Sequence, residues 1–318
     1  MSDGVLIIAN SMIGDAILTT GVISEIARRH AGDALVVVCS PVTAPLFRAM
    51  PEAPDVVPLV KQKRGRHWLA LYGRLRGRRW ARIYDFRKTV FSQFLPGPKS
   101  RPVRARTGEP VHKVVEASSI LGRGAARYDP VIWKDSAAPA DLPEALRGWR
   151  GRVLALGPGA SRAGKAWPAD RFADTARRLT AAGAALEGAF VAVVGGPGDA
   201  EAARTIGAAL PPSCFLDFTG EPLLPTSGVL ARADLFVGND SGMMHLAAAS
   251  GAPTLGLFGP TDERLYGPWG RSTAAVRPAG VAFVFGKTSK TVSRTHSQME
   301  ALTVDVVVEA AARLVAEP

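Results

Sequence analysis

Short apolar runs alternate with amphipathic, helix-length segments along almost the whole chain. The first run, Val5–Ala9, contains no polar residue, which is typical of a strand buried on both faces of a parallel sheet. After the loop Ser11–Gly14, apolar residues return at helical spacing and end at two arginines. Repetition of this unit predicts an α/β fold with a parallel sheet and helices on both faces. The predicted strands are Val5–Ala9, Ala34–Cys39, Val56–Val60, Ile83–Phe86, Val153–Leu156, Phe190–Val194, Phe215–Phe218, Leu235–Val237 and Thr254–Phe258.

The alternation occurs twice, on either side of a segment rich in proline, alanine and charge. That segment, DSAAPADLPEALRGWRG over 135–151, predicts a linker between two domains. The 318 residues suit two domains of about 150 residues each. We predict two doubly wound, Rossmann-like domains over 1–145 and 151–300 that face each other across a cleft, and a C-terminal helix over 301–318. Such domains bind ligands at the carboxyl ends of their strands.

The hydrophobic segments are short. No apolar run approaches the roughly 20 residues needed to span a bilayer, and the N-terminal run is too short for a signal-peptide core. The two cysteines, Cys39 and Cys214, lie in apolar, strand-like settings, so they indicate neither a disulfide framework nor a metal site. We therefore expect a cytoplasmic protein.

Positive charge is concentrated in one window of the N-terminal half. Residues 61–106, hereafter the basic window, contain 15 Lys and Arg against one acid, Asp85, in a chain of net charge +11. Trp68, Leu69 and Trp80 are interleaved with these cations. The combination predicts a surface that attracts a polyanion or an anionic membrane; a solvated face is the alternative. No RNA- or DNA-binding signature is present, so we expect no nucleic-acid partner.

A polar turn, Asn239–Gly242, lies between a strand and a helix of the second half. It offers backbone N–H groups, a hydroxyl and a glycine at a helix N-terminus, an arrangement that suits a phosphate or pyrophosphate. The Asp240 carboxylate would repel a phosphate. It is better suited to bind a ribose or sugar hydroxyl, to orient the loop or to cap the N-terminus of the helix. His245, one turn into the helix, either contacts phosphate or packs beneath the loop. A second turn, 259–262, follows the next strand and is expected at the same edge of the sheet.

A glycine-rich loop, GPGASRAGK over 157–165, follows the first strand of the second half. It departs from a P-loop because Ala166 stands where Ser or Thr is required. Lys165, with the Ser161 hydroxyl, has the chemistry to neutralise a pyrophosphate; an exposed surface lysine is the alternative. The turn at 195–198 allows close backbone approach but does not match a dinucleotide fingerprint.

Asp15 is the candidate catalytic base. It lies at the first strand-to-helix turn, where a carboxylate is expected to point into the cleft and to accept a proton from a hydroxyl. A helix N-cap is the alternative. No Asp-x-Asp pair occurs in the sequence, so the charge of a bound diphosphate must be met by helix N-termini and Lys165. We expect no requirement for a metal or another cofactor.

Three stretches carry a resemblance to a known family: VLIIANSMIGDAILTTGVISEIARR, GPGASRAGKAWPADRFADTARRL and NDSGMMHLAAASGAPTLGLFGPTDERLYGPWG. In this order they resemble glycosyltransferase family 9, the ADP-heptose:lipopolysaccharide heptosyltransferases, over nearly the whole chain. The resemblance implies a GT-B fold, inverting transfer, and an ADP-L-glycero-D-manno-heptose donor held by the second domain. It implies an anionic, lipid-linked saccharide acceptor, the Kdo- or heptose-bearing inner core on lipid A, at the inner face of the inner membrane.

The resemblance also implies roles for individual residues. Asp15 matches the family's proposed base. The matches to donor-binding positions are Ser161, Lys165, Glu221, Asp240, Ser241, Gly242 and His245. Within that set, Ser161 and Lys165 would hold the phosphates and Glu221 the ribose. The expected acceptor-binding cations are Lys61, Lys63, Arg64, Arg87 and Lys88. The stretch YDFRKTVFSQF lacks the family's Asp-x-Gln-Gly-like pattern, so the acceptor stays open. The C-terminal helix is expected to pack on the N-terminal domain.

Other functions remain compatible with parts of the pattern. A nucleotide-sugar 2-epimerase would share the donor site, but the five scattered histidines do not obviously supply its acid and base groups. An oxidoreductase is disfavoured because the first strand-to-helix turn, NSMIGD, lacks GxGxxG. A non-enzymatic membrane-surface protein would use only the basic window. Transfer of a sugar from another nucleotide stays open as well.

Overall fold

The computed structural model describes residues 4–103, 109–133, 142–278 and 292–316. The chain divides into two compact units, Met1–Pro139 and Ala140–Pro318. The predicted linker over 135–151 lies only partly within the described residues, and its described part includes a short helix, Glu144–Arg147. The end predicted for the first domain, residue 145, lies a few residues inside the second unit.

The first unit contains one parallel sheet. Its strands are β1 (Gly4–Ile8), β2 (Leu35–Cys39), β3 (Asp55–Pro58), β4 (Trp80–Asp85) and β5 (Lys99–Ser100). Its helices are α1 (Ile13–Ile17), α2 (Thr20–Arg29), α3 (Ala44–Arg48), α4 (Arg66–Leu75) and α5 (Lys113–Ser118). The strand order is β3-β2-β1-β4-β5, with Ile8 of β1 paired with Asp85 of β4. The strand order therefore reverses between β1 and β4.

The second unit contains a six-stranded parallel sheet. Its strands are β6 (Val153–Gly157), β7 (Phe190–Gly195), β8 (Phe215–Thr219), β9 (Leu235–Asn239), β10 (Thr254–Leu257) and β11 (Thr273–Val276). Its helices are α6 (Glu144–Arg147), α7 (Ala169–Thr180), α8 (Ala200–Gly207), α9 (Leu223–Ala231), α10 (Gly242–Ala249), α11 (Glu263–Tyr266) and α12 (Val304–Ala316). The strand order is β11-β10-β9-β6-β7-β8, and it reverses between β9 and β6.

Six short 3-10 turns complete the described structure: Lys63–Gly65, Phe91–Phe94, Ser119–Leu121, Ala163–Lys165, Pro197–Asp199 and Pro212–Cys214. The central strands are buried along their whole length, as their uninterrupted apolar sequences predict. The predicted doubly wound architecture is therefore confirmed for each unit. The edge strands β5 and β11 were not predicted. β5 has only two residues and β11 is only partly buried, so neither produces a strong apolar pattern.

The C-terminal helix α12 packs in the core of the second unit. Its buried residues, Val307, Ala310, Ala311 and Leu314, belong to the same apolar cluster as Phe172 of α7. The helix contacts α7 and strands β9 to β11. The apolar stripe of the helix therefore completes the second core, and packing on the N-terminal domain stays a prediction.

Gly21 of α2 provides a stability test of the first unit. A Cβ there would overlap the carbonyl oxygen of Asp129, whose segment is fixed to α2 by a hydrogen bond from the Val131 N–H to the Thr20 hydroxyl (2.8 Å). We expect Gly21→Ala to lower the free energy of unfolding by about 1–3 kcal/mol through overpacking, measured by urea denaturation. The matched control is Gly73→Ala in α4, where no described heavy atom lies within 4 Å; this variant should be neutral or stabilising by up to about 1 kcal/mol. Equal losses in both variants would contradict the packing argument.

Candidate active site

The carboxyl ends of β6 and β9 lie side by side where the strand order of the second sheet reverses. Gly157 and Gly238 are paired there in register, and a Cβ on either glycine would lie 2.5 Å from the ring of Phe236. Glycine at both positions therefore allows the strands and the ring to pack together. The loops that leave these two strand ends carry Lys165 and Asp240. Open α/β sheets bind their ligands at such a reversal.

Lys165 and Asp240 form an ion pair at this reversal. The Lys165 Nζ lies 2.5 Å from the Asp240 Oδ2, and the two side chains are 14% and 7% exposed. The Thr261 hydroxyl, from the loop after β10, donates to the same oxygen at 2.7 Å. A buried carboxylate without partners is strongly destabilising, so these two groups hold the Asp240 charge at the strand ends. The alternative of an exposed surface lysine at 165 is wrong.

Asn239, the last residue of β9, fixes the loop that carries Lys165. Its Nδ2 donates to the carbonyl oxygen of Pro158 (2.6 Å), and its Oδ1 accepts from the Trp167 N–H (3.1 Å). The side chain is fully buried. The sequence predicted Asn239 only as part of a polar turn, because the two bridged residues, Pro158 and Trp167, lie 81 and 72 residues away in the chain.

The N-terminus of α10 lies beside the ion pair. Ser241 is its N-cap residue in an extended conformation, and its side chain makes no capping hydrogen bond. Within the described ranges, the buried Ser241 hydroxyl has no hydrogen-bond partner. A buried polar group of this kind, next to the helix-terminal N–H groups that begin at Gly242, is suited to an anionic ligand. His245 is 5% exposed, as expected for a side chain packed beneath the loop.

Two of the predicted donor-binding residues are exposed. Ser161 is exposed in the loop before the turn Ala163–Lys165, and Glu221 is exposed after β8. Three strand spacings separate β8 from β9, a distance of about 14 Å along the sheet edge. Among the described residues, neither side chain hydrogen-bonds to Lys165 or Asp240.

Asp199 was not among the predicted site residues, yet it lies between two of the glycine loops. Its Oδ2 accepts from the Gly196 N–H at 2.8 Å, and a Cβ on Gly159 or Gly195 would contact the same carboxylate. Burial raises the pKa of Asp199, and the hydrogen bond from Gly196 lowers it in part. The contacts with Gly195 and Gly196 are local, whereas the contact with Gly159 forms only when the loops after β6 and β7 come together, so no local sequence signal identifies that contact.

In the first unit, Asp15 lies in the first turn of α1, after the carboxyl end of β1. Its side chain is half-buried, and its carbonyl oxygen accepts from the Asn10 Nδ2 at 3.4 Å. Met12 is the N-cap residue of α1, so the alternative role of Asp15 as the N-cap is wrong. The loop that carries Asp15 leaves β1 next to the end of β4.

Asp85, at the end of β4, organises the loop that follows. Its carboxylate is fully buried and accepts from the Arg87 N–H (3.1 Å), the Thr89 N–H (2.7 Å) and the hydroxyls of Thr89 (2.9 Å) and Ser92 (2.7 Å). The Arg101 guanidinium lies 3.5 Å away. Asp85 is therefore a structural residue that shapes a loop without the family's glycine pattern.

This loop presents Arg87 and Lys88. The Arg87 guanidinium lies 5.3 Å from the centre of the Trp68 ring, within the range of a cation–π contact. Lys88 has a φ of 54°, which is unusual for a side-chain-bearing residue, and its Nζ lies 3.1 Å from Glu116. The loop that carries both cations thus begins next to the end of β1, and their side chains contact Trp68 of α4 and Glu116 of α5.

The remaining acceptor-binding candidates lie elsewhere in the first unit. Lys61, Lys63 and Arg64 are exposed between β3 and α4. Val60 and Leu69, 61% and 74% exposed, flank them. Among the described residues, no helix combines the length and the hydropathy needed to cross a membrane, and no group of three or more His, Cys, Asp or Glu is placed to hold a metal ion.

Comparison with known proteins decides the family. The sequence profile of glycosyltransferase family 9 (heptosyltransferase) matches residues 132–291. The chain belongs to glycosyltransferase family 9. It is 24% identical to lipopolysaccharide heptosyltransferase 2 of Salmonella typhimurium, over 86% of this chain and 87% of that protein. The predicted family resemblance is confirmed, and the chain is a glycosyltransferase.

Solved structures show the fold of this family 9 chain. The family 9 glycosyltransferase from Veillonella parvula has a TM-score of 0.77 at 19% identity, covering 100% of this chain and 99% of that one. The Escherichia coli heptosyltransferase WaaC with ADP has a TM-score of 0.75 at 18% identity, covering 98% and 99%. These likenesses confirm the predicted GT-B fold.

The carboxylate of Asp199 yields a pH-dependent prediction. Because burial raises its pKa above the usual 3.8, the folded protein binds this proton more tightly than the unfolded chain, and stability falls as pH rises through the interval between the two values. We expect Asp199→Asn, which keeps an oxygen for the Gly196 N–H, to have a higher free energy of unfolding than the wild type at pH 7. The difference should shrink as the pH falls from the raised pKa of the folded protein towards 3.8 and should vanish below that value, measured by urea denaturation. Asp170→Asn, at an exposed acid of α7, is the control; a difference independent of pH for Asp199→Asn would refute the argument.

Proposed function

We propose that this chain transfers a heptose, with inversion, from ADP-L-glycero-D-manno-heptose to the inner core of lipopolysaccharide. The observation that carries the proposal is the cluster of Lys165, Asp240 and Thr261 beside the N-terminus of α10, in a family 9 fold. A lysine and helix-terminal N–H groups suit a diphosphate. Support for heptose comes from the Salmonella typhimurium relative, a lipopolysaccharide heptosyltransferase, and from the similar Escherichia coli heptosyltransferase with ADP.

In this proposal the donor lies along the strand ends of the second sheet. Lys165 and the first N–H groups of α10 bind the diphosphate, with the hydroxyls of Ser161 and Ser241. Asp240, already held by the Thr261 hydroxyl, orients Lys165 and accepts a hydrogen bond from a sugar hydroxyl. Glu221 binds the ribose, because the span of about 14 Å from β9 to β8 suits an extended nucleotide.

Asp15 acts as the base in the transfer step. The acceptor hydroxyl oxygen attacks the anomeric carbon on the face opposite ADP, and Asp15 takes the proton of that hydroxyl. The bond from the anomeric carbon to the β-phosphate oxygen breaks, and its electron pair leaves with ADP. Lys165 and the α10 N-terminus stabilise the negative charge that develops there, so the reaction does not require a metal.

An anionic acceptor fits the surroundings of Asp15 in the first unit. Arg87 and Lys88 follow β4, which is the neighbour of β1 in the sheet, and Asp15 follows β1. Their positive charges suit the carboxylate of a Kdo residue or a phosphate of lipid A. The Asp85 network keeps both cations in place in the absence of acceptor.

The basic window also supports attachment to the cytoplasmic face of the inner membrane. Lys61, Lys63 and Arg64 are exposed next to Val60 and Leu69. Cations beside exposed apolar side chains bind anionic lipid and contact the acyl boundary at the same time. Arg74 and Arg78 contribute less, because both pair with Asp55.

Two variants separate donor binding from transfer. Lys165→Met should weaken ADP binding by roughly 1.5–3 kcal/mol, because a charge-assisted bond is lost and the buried Asp240 is left facing the phosphates. Asp15→Asn should leave the ADP dissociation constant unchanged and abolish heptose transfer to Kdo-lipid A. Calorimetry with ADP, with and without Mg²⁺, and a transfer assay measure both effects. An unchanged ADP affinity in Lys165→Met, or full transfer by Asp15→Asn, would contradict the proposal.

A charge series tests the membrane contact. Lys61→Gln, Lys63→Gln and Arg64→Gln combined should reduce binding to phosphatidylglycerol vesicles by on the order of a hundredfold, since each surface cation contributes about 1 kcal/mol. The matched control neutralises three exposed arginines of the second unit, Arg150, Arg204 and Arg271. Vesicle sedimentation measures both triple variants. Equal losses of vesicle binding in the two triple variants would indicate a non-specific effect of net charge. That result would refute the membrane contact assigned to Lys61, Lys63 and Arg64.

A further inference from the structure

The segment Ser293–Met299 is seated directly on the loop that carries Lys165. The Gly164 N–H donates to the carbonyl oxygen of Ser293 (2.9 Å), and the Gln298 N–H donates to the carbonyl oxygen of Gly164 (3.2 Å). The Ser297 hydroxyl adds a hydrogen bond to the carbonyl oxygen of Ala166 (2.7 Å). The backbone on both sides of Lys165 is therefore bound to this segment.

Gln298 closes the segment against Gly164. Its Oε1 accepts from the Ser293 N–H at 2.9 Å, which folds the segment back on itself. A Cβ at Gly164 would lie 2.5 Å from that oxygen and 2.8 Å from the Ser293 nitrogen. The amide of Gln298 and the bare backbone of Gly164 thus fit each other, and a side chain at 164 would separate them.

The Lys165 loop has little regular structure of its own to hold it. Its internal support is one 3-10 turn, closed by the Lys165 N–H donating to Arg162 (3.0 Å) and the Ala166 N–H donating to Ala163 (2.9 Å). One end is fixed by the bond from Trp167 to Asn239. The start of the loop is fixed at Pro158 by the same Asn239 side chain, and its middle is fixed at Gly164 by Ser293–Met299.

The same segment contacts the loop that carries Thr261, the second partner of Asp240. Met299 is fully buried, and its Sδ lies against Gly259, two residues before Thr261. Ser293–Met299 therefore supports both loops that supply groups to the Asp240 carboxylate. It also lies outside residues 132–291, the range matched by the family profile.

We propose that Gln298 is a positioning residue for the nucleoside diphosphate of the donor. Its side chain accepts from the Ser293 N–H and so keeps the segment folded against Gly164. The segment then sets where the Lys165 ammonium lies before the ligand arrives, which lowers the ordering cost of binding. The inference rests on the phosphate-binding role proposed for Lys165. Gln298 itself does not contact the reacting atoms in this proposal.

The test is a double-mutant cycle with ADP as the probe, read by calorimetry. Gln298→Met removes the acceptor at similar volume and should raise the ADP dissociation constant roughly tenfold by loss of preorganisation. Gln298→Glu keeps an oxygen for the Ser293 N–H and should restore most of the affinity. In a Lys165→Met background, Gln298→Met should have no further effect, because coupled residues are not additive.

Arg171→Ala is the matched structural control. Arg171 donates to the carbonyl oxygens of Glu300 (2.6 Å) and Leu302 (2.7 Å), so its loss loosens the same stretch of chain away from Gly164. Arg171→Ala should therefore lower the melting temperature of the protein but leave its ADP affinity unchanged. A tenfold effect of Gln298→Met in both backgrounds, or the same loss in Arg171→Ala, would overturn the positioning role. An unchanged ADP affinity in the single variant Lys165→Met would overturn the proposed function as well as the positioning role. If Lys165→Met weakens ADP binding as expected, a failure of the Gln298 variants overturns only the positioning role.

Discussion

The parallel pairing of β6 with β9 is the constraint on which the candidate site depends. The two strands are far apart in the sequence, and they meet because the order of the second sheet reverses between them. Gly157 and Gly238 permit this close pairing over the ring of Phe236. Once the strand ends are adjacent, the loops that follow bring Lys165 and Asp240 together. A ligand at this edge meets a cation, a carboxylate and a helix N-terminus within one small region.

The two units use a buried aspartate at equivalent places in different ways. Asp85 ends the fourth strand of the first sheet and is satisfied almost wholly by its own loop, so it shapes backbone. Asp240 follows the fourth strand of the second sheet, but its partners Lys165 and Thr261 come from two other loops. A carboxylate whose partners come from several loops couples those loops to one another.

The sequence predicted the architecture well and the site in part. Mostly apolar runs identified nine of the strands, most clearly where burial on both faces leaves a local signal; the two-residue β5 and the partly buried β11 were not predicted. Asp240 and Ser241 could be singled out because a polar turn between a strand and a helix is visible locally. The contact of Asp199 with Gly159, the bridge from Asn239 to Pro158 and the packing of Gln298 on Gly164 could not be predicted, because they join loops that are remote in the chain. The sequence did not predict the packing of α12 in the second core either, because an apolar stripe does not specify the core against which a helix packs.

The sequence by itself determined that the chain builds two parallel sheets with polar, glycine-rich loops at their strand ends, and it carried the likeness to glycosyltransferase family 9. Those properties follow from local periodicity and composition, which each segment contains within itself. Only the tertiary structure decided that Lys165 pairs with Asp240 and that Gln298 lies on Gly164. It also decided that the Asp85 carboxylate is hydrogen-bonded by the loop that follows it. Strand order and loop contacts join residues distant in the chain, and the residue types alone do not specify which of them meet.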